Sequence, residues 1–260
     1  MAERREYPQG VPSWVDLATS DAEAAREFYR GLFGWDYDII PDPQYGGYAN
    51  CLLRGRRVAG LGPRTDEGQP VAWTTYLAVD DAEKAAEAVR EHGGQVLMGP
   101  MAIGEEGKFA MAADPTGAVF GMWQAGRHFG AELVNEPGSL SWNELVTADL
   151  DRATRFYSDV LGVSWSDMGG GPPGTIYKVM EVGGRIVAGA MPLSQQPGDA
   201  PPHWSVYFAV EDASATADRV RELGGQVFGD VIDTPQGPMA AVSDPQGGMF
   251  LVIAVTQPAS

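Results

Sequence analysis

This 260-residue sequence predicts an α+β fold made by tandem duplication of one domain. Three observations carry that prediction. The first is a long internal repeat. Pro12-Ser-Trp-Val-Asp-Leu-Ala-Thr-Ser-Asp21 returns as Leu140-Ser-Trp-Asn-Glu-Leu-Val-Thr-Ala-Asp149. Phe28-Tyr29 returns as Phe156-Tyr157, Val58-Ala-Gly60 as Val187-Ala-Gly189, and Trp73 with Tyr76 as Trp204 with Tyr207. Gly93-Gly-Gln-Val96 returns as Gly224-Gly-Gln-Val227 and Asp114-Pro115 as Asp244-Pro245, at offsets that drift only from 128 to 131. A period this long marks a duplicated domain and not a solenoid unit. The second observation is a set of apolar stripes at helical spacing, each preceded by a strand-like run and ended by glycine. The third is a series of short β-rich runs separated by Gly and Pro turns.

Each repeat divides into two halves of one pattern: strand, helix, then short strands. Trp14 to Thr19 alternates and reads as a strand. Ser20 and Glu23 have capping-box spacing for the helix that follows. Ala25, Phe28, Tyr29, Leu32 and Phe33 then form one apolar stripe, and Gly34 ends it. The twin runs from Asp149, a helix N-cap by type, through Ala153, Phe156, Tyr157, Val160 and Leu161 to Gly162. The second halves open with strands Trp73 to Val79 and Trp204 to Val210. Their helices start at Asp81 in the first repeat and run to about Leu223 in the second, each stopped by a Gly-Gly pair. Residues 11–127 and 140–255 are the expected domains. Residues 128–139, with Gly130, Pro137 and Gly138, read as the linker.

Composition narrows the function. The chain carries 18 basic and 35 acidic residues, a net charge of −17. That argues against nucleic acid and anionic membranes as partners, because both are bound by displacing counterions with Lys and Arg. A single cysteine, Cys51, excludes an internal disulfide and fits a reducing compartment. The N-terminus has no signal-peptide pattern, and the longest aliphatic run, Phe250 to Val255, is too short for a bilayer. The expectation is a cytoplasmic protein.

Four βαβββ modules in two tandem repeats resemble the vicinal oxygen chelate superfamily, which includes glyoxalase I, bleomycin-resistance proteins and extradiol dioxygenases. The carriers are the strand–Asp–helix pattern ending Phe-Tyr-x-x-x-(Leu/Phe)-Gly, the Gly-Gly after the second helix, and Asp-Pro-x-Gly before the last strand. The sequence looks more narrowly like two-repeat actinobacterial glyoxalase-like proteins often labelled hydroxylases. The resemblance implies two incomplete barrels whose concave faces hold a ligand, usually with a metal. Members of this build occur as monomers and as homodimers.

The metal positions can be checked one by one. Members that use a metal place a ligand seven residues before the Asp that opens the helix, and here those positions are Trp14 and Trp142. The second-module position falls near Thr74 and Ser205, and the carboxylate after Asp-Pro-x-Gly falls on Gly121 and Leu251. Residues 56–63 and 185–192 contain no Asp, Glu or His. Trp, Gly and Leu cannot ligate a divalent ion. The expectation is therefore no metal and no cofactor.

Strand parity says what fills the concave face instead. If Trp14 faces the cavity, so do Asp16 and Ala18, and in repeat two Trp142, Glu144 and Val146. Tyr76, Tyr207 and Trp123 join them, as does His203. Tyr48 and Tyr177 are twins whose parity stays open. The candidate ligand-binding residues are Trp14, Asp16, Tyr48, Tyr76, Trp123, Trp142, Glu144, Tyr177 and Tyr207. Glu144 with His203 is the candidate catalytic pair. Aromatic linings with a few polar groups suit flat small molecules, and a carboxyl in an apolar pocket can act as a general base. Two readings stand for the tryptophans: stacking on a ligand, or plugging the barrel. His128 joins no recognisable cluster, and Gly169-Gly-Gly171-Pro-Pro-Gly174 reads as a lid or plain loop. The expected function is metal-independent binding of a small aromatic molecule, of the bleomycin-resistance type. The alternative is a glyoxalase- or hydroxylase-like enzyme using a carboxylate–His pair or an unrecognised metal site.

Overall fold

A computed structural model describes residues 2–169, 174–196 and 198–255. Most of the Gly169–Gly174 loop therefore lies outside the described residues. Repeat one contains β1 (Ala2–Glu3), β2 (Pro12–Thr19), α1 (Ala22–Phe33), β3 (Asp36–Ile39), β4 (Ala49–Leu53) and β5 (Arg56–Pro63). It continues through β6 (Ala72–Ala78), α2 (Ala82–Glu91), β7 (Gln95–Ile103), β8 (Gly107–Ala113) and β9 (Val119–Ala125). After β10 (Leu133–Val134), repeat two runs β11 (Leu140–Thr147), α3 (Leu150–Leu161), β12 (Ser164–Asp167), β13 (Lys178–Val182) and β14 (Arg185–Pro192). It ends with β15 (His203–Ala209), α4 (Ala213–Glu222), β16 (Gln226–Thr234), β17 (Gly237–Ser243) and β18 (Met249–Ile253).

The caps explain where the helices begin. Asp21 accepts from the amides of Glu23 and Ala24, so the cap of α1 is Asp21 and not the Ser20 that the capping-box spacing suggested. A carboxylate one residue later reaches the same orphan amides and adds favourable charge at the positive end of the helix dipole. Asp81, Asp149 and Asp212 cap the other three helices in the same way. Gly34 and Gly162 end α1 and α3 in the left-handed conformation.

The strands of residues 12–125 form one sheet, in order β3-β4-β5-β2-β6-β9-β8-β7, and those of residues 140–253 a second, in order β12-β13-β14-β11-β15-β18-β17-β16, which β1 and β10 also join. The two modules of a repeat meet at its centre, where β2 lies antiparallel to β6 and β11 to β15. Sheets pair within repeats, but the helices pack across them. Phe33 of α1 lies 5.2 Å from Phe208 and 6.0 Å from Phe250 of repeat two. Phe156 and Tyr157 of α3 pack on Phe120 of repeat one.

Two reciprocal polar joints fasten this exchange. Tyr29 donates to Asp244 Oδ2 at 3.0 Å and accepts from Trp73 Nε1 at 3.1 Å. Tyr157 donates to Asp114 Oδ2 at 3.2 Å and accepts from Trp204 Nε1 at 2.9 Å. All six residues are buried. The recurrence of Phe-Tyr, of the strand tryptophan and of Asp-Pro-x-Gly thus has one structural cause: each motif contacts the other repeat. The Gly-Gly pairs have the same cause, because a Cβ at Gly94 would meet the Phe156 ring at 2.8 Å.

The segment read as a linker is built into the fold. Its β10 pairs with β1 and β11, Ala131 N donates to Ser13 O, and Trp35 Nε1 donates to Gly138 O at 2.7 Å. No helix among the described residues is long and apolar enough to cross a membrane.

Candidate functional site

Val15 and Leu17 are core residues of β2; Trp14, buried in the same cluster, and the half-buried Asp16 alternate with them along the strand. Trp14 and Asp16 meet two tyrosines. Tyr76 donates to Asp16 Oδ2 at 3.1 Å and Tyr48 to the same oxygen at 3.4 Å. Trp14 Nε1 donates to the Tyr48 hydroxyl at 3.1 Å. Repeat two rebuilds this arrangement with a longer acid. Tyr207 donates to Glu144 Oε1 at 2.9 Å, Trp142 Nε1 donates to Tyr177 at 3.0 Å, and the Tyr177 hydroxyl is close enough to Glu144 to influence its ionisation. Eight of the sequence candidates therefore gather into two equivalent Trp–Tyr–carboxylate–Tyr clusters.

The parity of Tyr48 and Tyr177 is set by two glycines. Asp16 pairs with Gly60 across β2 and β5, and Glu144 with Gly189 across β11 and β14. A Cβ at Gly60 would overlap the Tyr48 hydroxyl, and one at Gly189 the Tyr177 hydroxyl. Each glycine lets a tyrosine lie across its strand and reach the acid. The repeated Val-Ala-Gly motif was the available signal, but it does not by itself say which ring covers the glycine. We expect Gly189→Ala to expel Tyr177 and cost about 1–3 kcal/mol, as overpacking does. A changed near-UV dichroism with a lower denaturation midpoint would register it, and unchanged aromatic signals would refute it.

Electrostatics prime both acids. Burial pushes the Asp16 carboxyl up to about 6, against the lowering effect of the Tyr76 and Tyr48 hydrogen bonds. Burial likewise raises Glu144, again opposed by Tyr177 and Tyr207. Burial and the neighbouring carboxylate raise Tyr48, Tyr76, Tyr177 and Tyr207, so all four stay protonated donors. A carboxyl raised in this way can orient a hydrogen-bonding ligand or hold a proton.

Two candidates stand apart. His203 pairs with Val146 across the strands while Glu144 pairs with Ser205. The His203 Nδ1 lies 2.7 Å from the Pro201 carbonyl, and no hydrogen bond joins it to Glu144. Trp123 donates to the His128 carbonyl and lies against the His128 ring, not on the Asp16 cluster. His128 is the residue that sequence reasoning missed. It sits edge-on to Trp14, at 4.4 Å and 85°, although 114 residues separate them. Cys51 is a small buried core residue. A cavity of about 370 Å³ opens elsewhere, lined by His92, Pro115, Asp149, Arg152, Arg155 and Asp159 at the helix ends. It touches neither cluster.

The superfamily metal does not fit these residues. Each cluster offers one carboxylate and two protonated phenols. Among the described residues no three His, Cys, Asp or Glu side chains converge. Divalent ions of the zinc, manganese and iron kind need several imidazole or carboxylate donors at one point.

Duplicated βαβββ modules with a Trp–Tyr–carboxylate cluster in each repeat define a class, and the chain belongs to the Glyoxalase/Bleomycin resistance protein/Dioxygenase superfamily. The family model matches residues 12–122 and 139–252. The chain is 47% identical over 258 residues to "Putative glyoxylase CFP32" of Mycobacterium tuberculosis, covering 97% of this chain and 98% of that one. It is 39% identical to "Anthracycline biosynthesis protein DnrV" of Streptomyces peucetius, over 96% of this chain and 95% of that one. Among solved structures, the Mn(II)-bound glyoxalase from Novosphingobium aromaticivorans superposes with a TM-score of 0.66 at 17% identity, covering 97% of this chain and 84% of that one. The 2,3-dioxygenase LapB from Pseudomonas sp. KL28 superposes at 0.65 and 15% identity, covering 95% and 93%. At these identities the two structures share the fold.

Proposed function

We propose that this protein binds a small planar aromatic molecule on a concave sheet face, without the superfamily metal. One observation carries the reading: a tryptophan, a carboxyl of raised pKa and two donor tyrosines recur together in both repeats. The indole supplies apolar contact, and the carboxyl with its tyrosines orients a polar substituent. The net charge of −17 supports a small-molecule partner over nucleic acid or membrane. The free, buried Cys51 suits a cytoplasmic protein that sequesters its ligand as a monomer or homodimer. Calorimetric titration with 2-naphthol tests the reading. We expect saturable binding, weakened about tenfold in Glu144→Gln, because a carboxyl that orients the ligand's polar substituent is replaced by an amide. A protein that saturates with no planar aromatic compound does not have this function.

A second reading is favoured by the Asp16 carboxyl near 6: a glyoxalase- or hydroxylase-like enzyme using Asp16 or Glu144 as general acid or base. A turnover whose pH profile is unmoved by both Asp16→Asn and Glu144→Gln would remove it.

A further inference from the structure

The two clusters are twins in geometry but not in access. In repeat one the Trp14 ring is covered. His128 is buried with its imidazole edge-on to Trp14 and 5.4 Å from Trp123. Burial and the Arg57 guanidinium pull its pKa down to about 3, so it is a neutral planar ring. Its anchor is elaborate. Arg57 Nη1 lies 3.3 Å from His128 Nδ1, and Arg57 is itself held by Glu132 and Glu106. The backbone is pinned where His128 N donates to Glu106 O and Trp123 Nε1 donates to His128 O. Tyr7 donates to Ala131 O at 2.7 Å, and the segment cannot swing out without breaking these bonds.

Repeat two keeps the cluster, and among the described residues no imidazole or aromatic ring lies against Trp142 as His128 does against Trp14. Trp142 is only partly buried, and its indole N–H donates to Tyr177. The residue in register with Arg57 is Ile186, since Leu52 pairs with Arg57 and Glu181 with Ile186. Ile186 is 51% exposed. The residue in register with Trp123 is Ile253. At the positions in register with Arg57 and Trp123, repeat two thus carries the aliphatic Ile186 and Ile253.

We infer that the two concave faces have separate tasks: repeat one is closed by its own His128, and repeat two takes the ligand, a neutral planar aromatic ring seated against Trp142. His128 shows within the same chain what the site accepts, a flat uncharged ring at the tryptophan. With Ile186 where repeat one has Arg57, that position offers no cation to attract an anionic ring. This inference rests on the reading that a concave face binds a planar aromatic molecule, and it adds which face and which ligand class.

The test is calorimetric titration of the full chain with three probes of similar size: 2-naphthol, 2-naphthalenesulfonate, and the non-planar decahydro-2-naphthol. We expect one equivalent of 2-naphthol per chain and at least about tenfold weaker binding of the other two. Trp142→Leu should abolish the site. Should that variant fold poorly, Ile186→Arg on the exposed rim should weaken the same site by about tenfold. His128→Ala should open repeat one and raise the stoichiometry to two. Two equivalents in the native chain, or one equivalent indifferent to both repeat-two substitutions, would overturn the assignment and leave concave-face binding intact. A His128→Ala protein that still takes one equivalent would overturn His128 as the occupant. Equal affinity for all three probes would overturn the ligand class. No saturable binding by the native chain or by His128→Ala would remove the underlying function as well.

Discussion

Asp244→Ala is expected to lower the stability of the whole chain by about 3–4 kcal/mol, the scale of breaking a buried hydrogen-bonded network. Asp244 is buried and accepts from two directions. Its Oδ1 takes the amides of Gln246 and Gly248, and its Oδ2 takes the hydroxyl of Tyr29 in the other repeat. Removing the carboxyl frees two turn amides and strands a phenol in a shell of Trp35, Trp73 and Phe250. Asp244→Asn keeps an acceptor and should cost only about 1–2 kcal/mol. Because the joint ties one repeat to the other, both should unfold together at a lower midpoint with an unchanged slope against denaturant. A loss under about 1 kcal/mol would mean that apolar packing alone holds the repeats together.

Asp16→Asn is expected to act in the opposite direction. The folded Asp16 carboxyl has its pKa raised from 3.8 to about 6. The folded state therefore holds this proton more tightly than the unfolded chain does. The stability linked to it is complete below the unfolded value and is lost as pH rises through the folded one. The loss between about pH 4 and pH 7 amounts to roughly 2–3 kcal/mol. Tyr76 and Tyr48 both donate to Oδ2, so an asparagine carbonyl oxygen can keep both bonds. The variant should match the native protein near pH 3.5 and exceed its stability by about 2 kcal/mol at pH 7.5. Urea unfolding across that range measures it, and parallel pH curves for the two proteins would refute it. Glu144 is raised by the same cause, so Glu144→Gln should have the same sign. Two costly acids kept at equivalent positions are what a binding or proton-handling site requires, since sites of this kind trade stability for function.

Much of this architecture is legible in the residues. The alternation in Trp14 to Thr19 assigns Val15 and Leu17 to the core and Asp16 to the concave face, and the twin strand repeats the assignment with Leu145 and Glu144. The stripe from Ala25 to Phe33 gives α1 its buried side. The capping detail was less legible, because Ser20 and Asp21 are both good caps and only the backbone angle at Asp21 chooses between them. Tyr48 was ambiguous because it lies outside any regular strand, where period-2 parity has no hold. Facing one side of a sheet is not being in contact, and among the described residues Glu144 and His203 have separate hydrogen-bond partners. His203 lies opposite Val146, one pleat period along from Ser205, and hydrogen-bonds locally instead.

By itself, then, the sequence determined the duplication, the four strand–helix units, and the face on which each carboxyl and most of the aromatics lie. These depend on local periodicity and on motif recurrence, both properties of neighbouring residues. Only the tertiary structure decided that α1 packs on repeat two and α3 on repeat one, that Gly60 and Gly189 seat the tyrosines, and that His128 closes one of two matching faces. Those outcomes depend on contacts between residues far apart in the chain, such as Tyr29 with Asp244 and Trp14 with His128. They are chosen by which surfaces bury the most apolar area while satisfying every buried polar group.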